Sequence, residues 1–203
     1  MTTWAFVSDI HGNYGALQRA ASWCERHGVE RYVCLGDVIG RGDPESCIAW
    51  VRDRAALAIV GNRDLDYLER VSTELQTVVR GWTNEERASD FILSHGDPKL
   101  HRRLNSGALR DDFRRAAAFM EEAGAHLWLF GHTHRARAWR LNGDGPEPLD
   151  VDRIDLEPDG RYVVNVGTTG MPLPGRGPAS FVVYDDETRQ LRVVPMAECV
   201  VGG

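Results

Sequence analysis

The stretch from Trp4 to Asn13, WAFVSDIHGN, joins four apolar residues to a segment that carries an aspartate, a histidine and a glycine. Four consecutive apolar residues predict a buried β-strand, and the polar segment begins where that strand ends. The glycine at position 12 permits a sharp turn and a close approach of the backbone to a bound group. This junction therefore predicts a strand whose carboxyl end presents Asp9 and His11 to a ligand.

Four later apolar runs end in the same way, with aspartate, asparagine or histidine beside a glycine. They are RYVCL before Gly36-Asp37, LAIV before Gly61-Asn62, FIL before Ser94-His95-Gly96, and LWLF before Gly131-His132-Thr133-His134. In open α/β sheets, ligands bind beyond the carboxyl ends of the strands. The five strand ends are therefore expected to contribute to one site.

The side chains at these strand ends supply oxygen and nitrogen donors without any cysteine, which suits Mn, Fe or Zn. Seven strong donors are present: Asp9, His11, Asp37, Asn62, His95, His132 and His134. Any one of them, taken alone, is more often solvated or hydrogen-bonded within a protein. Seven donors exceed the needs of one ion, but two divalent ions sharing a bridging carboxylate would use them all. Such groups converging without a cation would be costly, so a metal site is favoured.

The order of strands and helices predicts an α/β fold. Apolar residues at helical spacing occur in three segments. The first is GALQRAASWCERHG, which ends at Gly28, and the last is LRDDFRRAAAFMEEAG, which ends at Gly124. The middle one is DPESCIAWVRDR, with Asp43 as its N-cap and Pro44 as its first helical residue. After His134 the runs ARAWRLN, LDVDRIDL, RYVVNVG, ASFVVYD and QLRVVP are strand-like and separated by turn signals. We expect mostly antiparallel strands there, forming a second sheet packed on the first, within a single domain over residues 1–203.

Composition narrows the class of protein. The chain has 203 residues, 42% of them hydrophobic, and a formal net charge of −6, which argues against general nucleic-acid binding. Its four cysteines form no spaced pair, so we expect small buried residues rather than ligands or disulfides. No apolar run reaches membrane-spanning length and no signal segment opens the chain, so no membrane association and a cytoplasmic location are expected.

The ordered segments SDIHGN, GDVIGRG, GNRD, SHGDP and GHTH resemble the five motifs of the calcineurin-like metallophosphoesterase superfamily. The opening SDIHGNYGALQ and the segment CLGDVIGRGDPESC look most like its small bacterial phosphodiesterase-type branch. NVGTTGMP, residues 165–172, is similar to the loop that closes such domains. The resemblance implies a two-sheet β-sandwich flanked by helices, in the layer order α-β-β-α.

The resemblance also implies a ligand scheme. Asp9, His11 and His134 look like ligands of one ion, Asn62, His95 and His132 look like ligands of the other, and Asp37 looks like the bridge. Two divalent ions are implied as cofactors, with Mn favoured over Fe, Zn or Ni. A water between two such ions would be acidified toward hydroxide and placed for in-line attack on phosphorus. The expected function is a dinuclear metal-dependent phosphoester hydrolase, with a phosphodiesterase favoured.

Two positions depart from the family pattern. Arg63 stands where many relatives have a histidine. Gly40 stands where the protein-phosphatase branch has an aspartate that is paired with that histidine. Arginine cannot act as a general acid at neutral pH but can bind phosphate. We therefore predict Asp37, Asn62 and Arg63 as catalytic residues, and Arg41 and Arg63 as substrate-binding residues. The alternative for Arg63 is a side chain in solvent, or paired with Asp64 or Asp66.

Three functions remain open on sequence grounds. A phosphodiesterase would prefer activated aryl esters, cyclic nucleotides or phosphoanhydrides, because a general acid is missing. A phosphomonoesterase or protein phosphatase, and a catalytically silent metal-binding scaffold, are the alternatives. The expected partner is a small phosphoester, with a homo-oligomer also open. The loop Gly167–Pro178 is either a lid or an inert surface loop, and the basic segment KLHRRL, 99–104, either steers phosphate or is a solvated face.

Overall fold

Two six-stranded sheets lie face to face in a computed structural model that describes residues 2–88, 90–96, 110–142 and 145–200. The strands are β1 (Thr3–Val7), β2 (Arg31–Cys34), β3 (Ala55–Ala58), β4 (Glu85–Ala88), β5 (Phe91–Ser94), β6 (Leu127–Phe130), β7 (Arg137–Asn142), β8 (Gly145–Leu149), β9 (Ile154–Asp155), β10 (Arg161–Asn165), β11 (Ser180–Asp185) and β12 (Gln190–Pro195). The helices are α1 (Tyr14–Arg26), α2 (Pro44–Arg54), α3 (Asn62–Asp66), α4 (Thr73–Arg80) and α5 (Arg110–Ala123), with short 3-10 turns at Leu68–Arg70 and Met196–Glu198.

Alternating side chains on the central strands build three apolar layers. Phe6 of β1 and Leu129 of β6 belong to the core between the two sheets. Val7 points to the opposite side, into the layer shared with α1, α2 and α4. Trp128 packs in the layer beneath α5. Because successive residues of a strand face opposite sides, each sheet is covered on both faces, and the predicted α-β-β-α order is confirmed.

The strand order corrects one prediction. The first sheet runs β3-β2-β1-β11-β12-β9 and the second runs β4-β5-β6-β10-β7-β8. The strands that follow His134 therefore do not form a second sheet by themselves, as predicted, but are divided between both. Strand β11 pairs antiparallel with β1, and β10 pairs parallel with β6. Without β11, the strands β3-β2-β1 would end in an open edge at β1, and without β10, the strands β4-β5-β6 would end in one at β6. The later strands cover those edges.

The local helix signals are confirmed. The Asp43 side chain accepts a hydrogen bond from the Ser46 N–H at 3.0 Å, with Pro44 in the first turn of α2. Helices α1 and α5 are followed by Gly28 and Gly124 at φ values of 70° and 67°. Glycine adopts this left-handed conformation without the strain of a Cβ, which lets the chain leave the helix.

Some elements differ from the predictions. LDVDRIDL was predicted as a strand, but only Ile154–Asp155 within it is one. Strand β8 instead occupies Gly145–Leu149, part of which was interpreted as a turn, and it pairs with β7 alone. Its two prolines are compatible with an edge strand because one side needs no partner. Helices α3 and α4 and strand β4 were not predicted, and β3 begins and ends two residues before the predicted run LAIV.

Within the described residues, no helix is long and apolar enough to cross a membrane. The one-domain interpretation of residues 1–203 stays a prediction.

Candidate metal centre

The seven predicted ligands come together where the carboxyl ends of strands from both sheets adjoin. The first sheet contributes Asp9 and His11 after β1, Asp37 after β2 and Asn62 after β3, and the second contributes His95 after β5 and His132 and His134 after β6. Five of these side chains are buried, and Asn62 and His132 are partly buried. The five strand ends lie together as expected, although they come from two sheets rather than one, and their role as a metal site stays a prediction.

One half of the site is formed by Asp9, His11 and His134. Their ligand atoms all lie within 4.8 Å of one another. Nε2 of His134 is 3.0 Å from Oδ1 of Asp9 and 3.2 Å from Nε2 of His11. A single cation could be bound by all three, in agreement with the implied ligands of the first ion.

The other half is centred on His95. Its Nε2 lies 3.4 Å from Oδ1 of Asp37 and 3.3 Å from Nδ1 of His132. The same Nδ1 of His132 lies 3.1 Å from Oδ1 of Asn62. Asp37 also approaches the first half, because its Oδ2 is 3.7 Å from Nε2 of His11. Asp37 thus stands between the two halves, as a bridging carboxylate must.

The hydrogen bonds of two histidines assign their tautomers. Nδ1 of His95 donates to the Leu35 carbonyl at 2.7 Å, and Nδ1 of His134 donates to the Met171 carbonyl at 2.6 Å. In the neutral rings the Nε2 atoms therefore carry lone pairs that face carboxylate oxygens. Oδ1 of Asp9 is a buried oxygen that has no hydrogen-bond partner among the described residues. Lone pairs that converge in this way repel unless a cation lies among them, so the residues fit divalent metal ions.

The carboxylates are held in place by groups around the site. Oδ2 of Asp9 accepts hydrogen bonds from the Ser8 hydroxyl at 2.7 Å and from the His132 N–H at 2.8 Å. Oδ1 of Asp37 accepts one from the Arg63 N–H at 2.7 Å. Second partners of this kind fix the orientation of metal ligands before the ion arrives.

The charge balance of the site also favours a cation. Burial alone would raise the pKa of Asp9, but the adjacent imidazoles of His11 and His134 outweigh it and hold the pKa well below its usual range. Burial lowers the pKa of His95, but the hydrogen bond with Asp37 and the charge of Asp9 outweigh it and raise the pKa to about 9. Both shifts reflect buried negative charge that attracts positive charge, which metal ions would supply.

The backbone is strained at the ligands themselves. Asp9, His11, Asp37, His132 and His134 have φ values between 50° and 66°, and Arg189 is the only other described non-glycine residue with positive φ. This left-handed conformation is unfavourable for residues with a Cβ and concentrates at functional sites. The sequence motifs did not predict this left-handed backbone conformation at the ligands.

Glycines let the ligand loops pack closely. A Cβ on Gly61 would lie 2.2 Å from the Asp37 nitrogen, and one on Gly131 would lie 1.9 Å from the Ser8 hydroxyl oxygen. A side chain at either position would push the loops apart. The glycines beside the ligands therefore serve contact between loops as well as turning.

Asp64 is a residue of the site that the sequence analysis missed. Its Oδ1 accepts hydrogen bonds from the N–H groups of Val38 and Ile39, and its Oδ2 accepts one from Gly61, each at 2.8 Å. Asp64 thereby fastens the loop of Asp37 to the loop of Asn62. Burial raises the pKa of Asp64 to about 6, against the effect of these N–H donors. In the sequence, the only indication of this role is that Asp64 is the last residue of the GNRD segment.

The two predicted substrate-binding arginines lie outside the ligand cluster. Nη1 of Arg63 is 3.2 Å from Oδ2 of Asp66, both side chains are about half exposed, and the guanidinium lies 5.7 Å from the Tyr67 ring centre. Of the two acidic neighbours considered, Asp66 and not Asp64 is the partner. The Arg41 side chain is exposed. Their roles toward substrate stay predictions.

The first part of the loop Gly167–Pro178 belongs to the wall of the site. The Thr168 hydroxyl donates to the Asp9 carbonyl at 2.8 Å, and the Gly170 carbonyl accepts from the Asn13 side chain at 2.8 Å. Met171 supplies the carbonyl that orients His134. The inert-loop interpretation is therefore wrong for residues 168–171. The segment KLHRRL, 99–104, lies outside the described residues.

Two helix-flanked sheets carry two adjoining groups of candidate metal ligands where they meet, which is the arrangement expected of a metallophosphoesterase. The chain belongs to the family described as the calcineurin-like phosphoesterase superfamily domain, whose profile matches residues 3–189. The predicted superfamily is confirmed, whereas the bacterial branch is not specifically identified.

Known proteins agree with this assignment. An uncharacterized protein of Methanocaldococcus jannaschii is 26% identical over 217 residues, which cover 94% of this chain and 85% of that protein. The crystal structure of a metallophosphoesterase from Sphaerobacter thermophilus matches with a TM-score of 0.76 and 24% identity, covering 95% of this chain and 88% of the other. A structure described as that of a novel archaeal phosphodiesterase matches with a TM-score of 0.58 and 17% identity, covering 96% and 99%. The structural matches establish the fold, and the family supports phosphoesterase activity.

Proposed function

We propose that this chain is a dinuclear metal-dependent phosphodiesterase that hydrolyses a small phosphoester. One observation carries the proposal: Asp37 lies within 4 Å of both His11 and His95, one from each half of the ligand cluster. A carboxylate in that place can bind two ions at once. A pair of ions supplies an acidified water and positive charge for the phosphoryl oxygens when bound.

The chain's own residues then have separate tasks. Asp9, His11 and His134 would hold one ion, whereas Asn62, His95 and His132 would hold the other. The Arg63 N–H fixes one oxygen of Asp37 and leaves the second directed toward His11. Nitrogen and oxygen donors without sulfur suit Mn, with Fe, Zn and Ni as alternatives.

The handling of the leaving group favours a diester with a good leaving group. Arginine as a residue type does not act as a general acid, so position 63 does not supply the acid that the family histidine supplies. A phosphatase-type aspartate at position 40 has no space, because a Cβ on Gly40 would lie 2.5 Å from the His11 carbonyl oxygen. Arg63 directly follows Asn62, and in this proposal its side chain turns toward a bound phosphoryl group. Leaving its exposed ion pair with Asp66 would cost little, because such pairs contribute about 0–1 kcal/mol.

The test compares bis-p-nitrophenyl phosphate with p-nitrophenyl phosphate in the presence of Mn, Fe, Zn, Ni or Mg. Both esters release the same p-nitrophenolate, so the ratio of their kcat/KM values reports the preference between diester and monoester and not the leaving group. We expect kcat/KM for the diester to be at least about tenfold higher, which is about 1.4 kcal/mol of transition-state stabilisation. An equal or greater rate on the monoester would favour the phosphomonoesterase alternative. Metal bound at two ions per chain with no hydrolysis of either ester would favour the silent scaffold.

A cytoplasmic location is part of the proposal. All four cysteines are buried and free, which is compatible with a reducing compartment.

A further inference from the structure

A small depression lies beside the metal ligands, at the carboxyl edge of the second sheet. It encloses about 260 Å³, counted with its opening to solvent. Three arginines line it, Arg135, Arg137 and Arg176, together with Thr133, Trp139 and Asn165. None of the described residues that line it carries a carboxyl group, although the whole chain has a net charge of −6.

The fold brings these arginines together from two segments. Arg135 follows the ligand His134 directly, and Arg137 begins β7 two residues later. Arg176 comes from the loop that follows β10, and it is only partly exposed although its neighbours in that loop are exposed. Arg137 is paired in register with Asn165 of β10, whose side-chain amide donates to the Gly131 carbonyl at 2.6 Å. The short connection between β6 and β7 therefore contributes both to the depression and, through His132 and His134, to the metal centre.

The three guanidinium groups lie close enough for their charges to act on one another. Burial and the charges of Arg135 and Arg176 lower the pKa of Arg137. An anion beside them would be attracted by all three charges. Guanidinium groups bind phosphate oxygens through paired N–H donors, and the Thr133 hydroxyl adds a further hydrogen-bonding group.

We propose that Arg135, Arg137 and Arg176 form a second anion site, which binds a phosphoryl group outside the metal centre. This inference rests on the proposed function in one respect only, which is the molecule from which the phosphoryl group comes. The phosphoryl group belongs either to free inorganic phosphate or to a substrate or product that carries a second phosphate. Trp139, on the same wall, offers an apolar ring beside the anion.

The test measures binding rather than hydrolysis. Thermal unfolding of the full chain is followed with increasing inorganic phosphate, as purified and again after metal removal by a chelator. A ligand that binds the folded state raises the melting temperature, and at a given concentration a tighter ligand raises it more. The variants are Arg137→Gln and the double variant Arg135→Gln with Arg137→Gln. Arg140→Gln is the matched control, because Arg140 lies on the same strand but is paired with Glu157.

We expect phosphate to stabilise the wild type and Arg140→Gln in both metal states. Arg137→Gln should bind phosphate about tenfold or more weakly, because a charge-assisted hydrogen bond is lost. Equal phosphate stabilisation of wild type and double variant after metal removal would overturn the proposal, as would no stabilisation of the wild type.

A second arm separates the two sources of the phosphoryl group by repeating the titration with ADP. Tighter binding of ADP than of phosphate, lost in Arg137→Gln, identifies an organic phosphate as the occupant. Equal binding of both, lost in the same variant, identifies free phosphate. Neither arm needs catalysis, so an inactive protein with an intact anion site would refute only the proposed function.

Discussion

The backbone N–H of Arg63 donates a 2.7 Å hydrogen bond to Oδ1 of Asp37, the carboxylate between the two halves of the metal centre. The Arg63 side chain meanwhile points to Asp66 at the surface. Position 63 therefore has two separable functions: its main chain orients a ligand, and its side chain is available for substrate. Substitutions that keep the N–H test the side chain alone.

Changing Arg63 to histidine restores the residue type found in many relatives and should add a proton donor beside the leaving oxygen. We expect kcat on an alkyl phosphoester to rise by about tenfold or more, with much less change on an aryl ester. Metal content should stay at the wild-type level because the backbone N–H to Asp37 is retained. The measurement is steady-state kinetics on paired aryl and alkyl diesters. Asp66→Asn, which frees Arg63 without altering it, is the control, and an unchanged alkyl rate in Arg63→His would contradict this explanation.

Asp64→Asn should destabilise the protein and weaken metal binding together. The carboxylate accepts three buried N–H hydrogen bonds, and an amide turns one acceptor into a donor that faces an N–H. A buried donor without a partner costs about 1–3 kcal/mol of unfolding free energy. Urea unfolding of metal-free protein measures that loss, and titration with Mn measures the affinity. Asp53→Asn serves as control because that carboxylate is exposed, and a stability loss no larger than in the control would refute the fastening role of Asp64.

The ligands could be predicted from sequence because each of them directly follows an apolar run. A strand, its end and the donor after it lie within about ten residues, for example from Trp4 to Gly12, and such patterns are local. Glycines beside the donors added a second local signal. The seven donors lie together in the structure, and their role as metal ligands stays a prediction.

What could not be predicted depends on contacts distant in sequence. Strands β10 and β11 have the same apolar character, and nothing local tells that one pairs with β6 and the other with β1. The role of Asp64 depends on N–H groups of Val38 and Ile39, which lie in another loop. Strand β8 contains prolines that normally indicate a turn, and only its place at a sheet edge makes it possible.

The cysteine thiols should be unreactive in the folded protein. Burial raises the pKa of Cys24 and of Cys47 to about 12, and it also raises the pKa of Cys34 and Cys199. At pH 8 a thiol with that pKa is a thiolate in only about one molecule in 10,000, and the thiolate is the reactive form. Labelling with a disulfide reagent should show almost no reaction in buffer and four thiols in denaturant. If one thiol reacts rapidly, the Cys199→Ser variant shows whether that thiol is Cys199. Rapid labelling of two or more thiols in the folded protein would contradict their buried placement.

Removing the metals should lower the melting temperature because Asp9 and Asp37 lose their counter-charge. Ions present at about 100 times their dissociation constant stabilise a folded protein by about 2.7 kcal/mol for each independent site. Asp37→Asn should therefore bind fewer ions than the wild type, measured by elemental analysis, and should respond less to a chelator. Asp53→Asn should behave like the wild type, and an Asp37→Asn protein that retains two ions would show that Asp37 does not bridge them.

Gly40→Ala should damage the metal centre although it adds only one methyl group. The new Cβ would lie 2.5 Å from the carbonyl oxygen of His11, so the His11 loop must shift away from His134 and Asp37. Overpacking of this kind costs about 1–3 kcal/mol, and we expect metal content and activity to fall with the melting temperature. Gly15→Ala is the matched control, because a Cβ there meets only the Arg19 and Asn13 side chains at 3.7 and 4.0 Å within α1. Gly15→Ala should be neutral or stabilising by up to about 1 kcal/mol. If Gly40→Ala binds metal as well as Gly15→Ala does, the lack of space at position 40 does not explain why the phosphatase-type aspartate is missing.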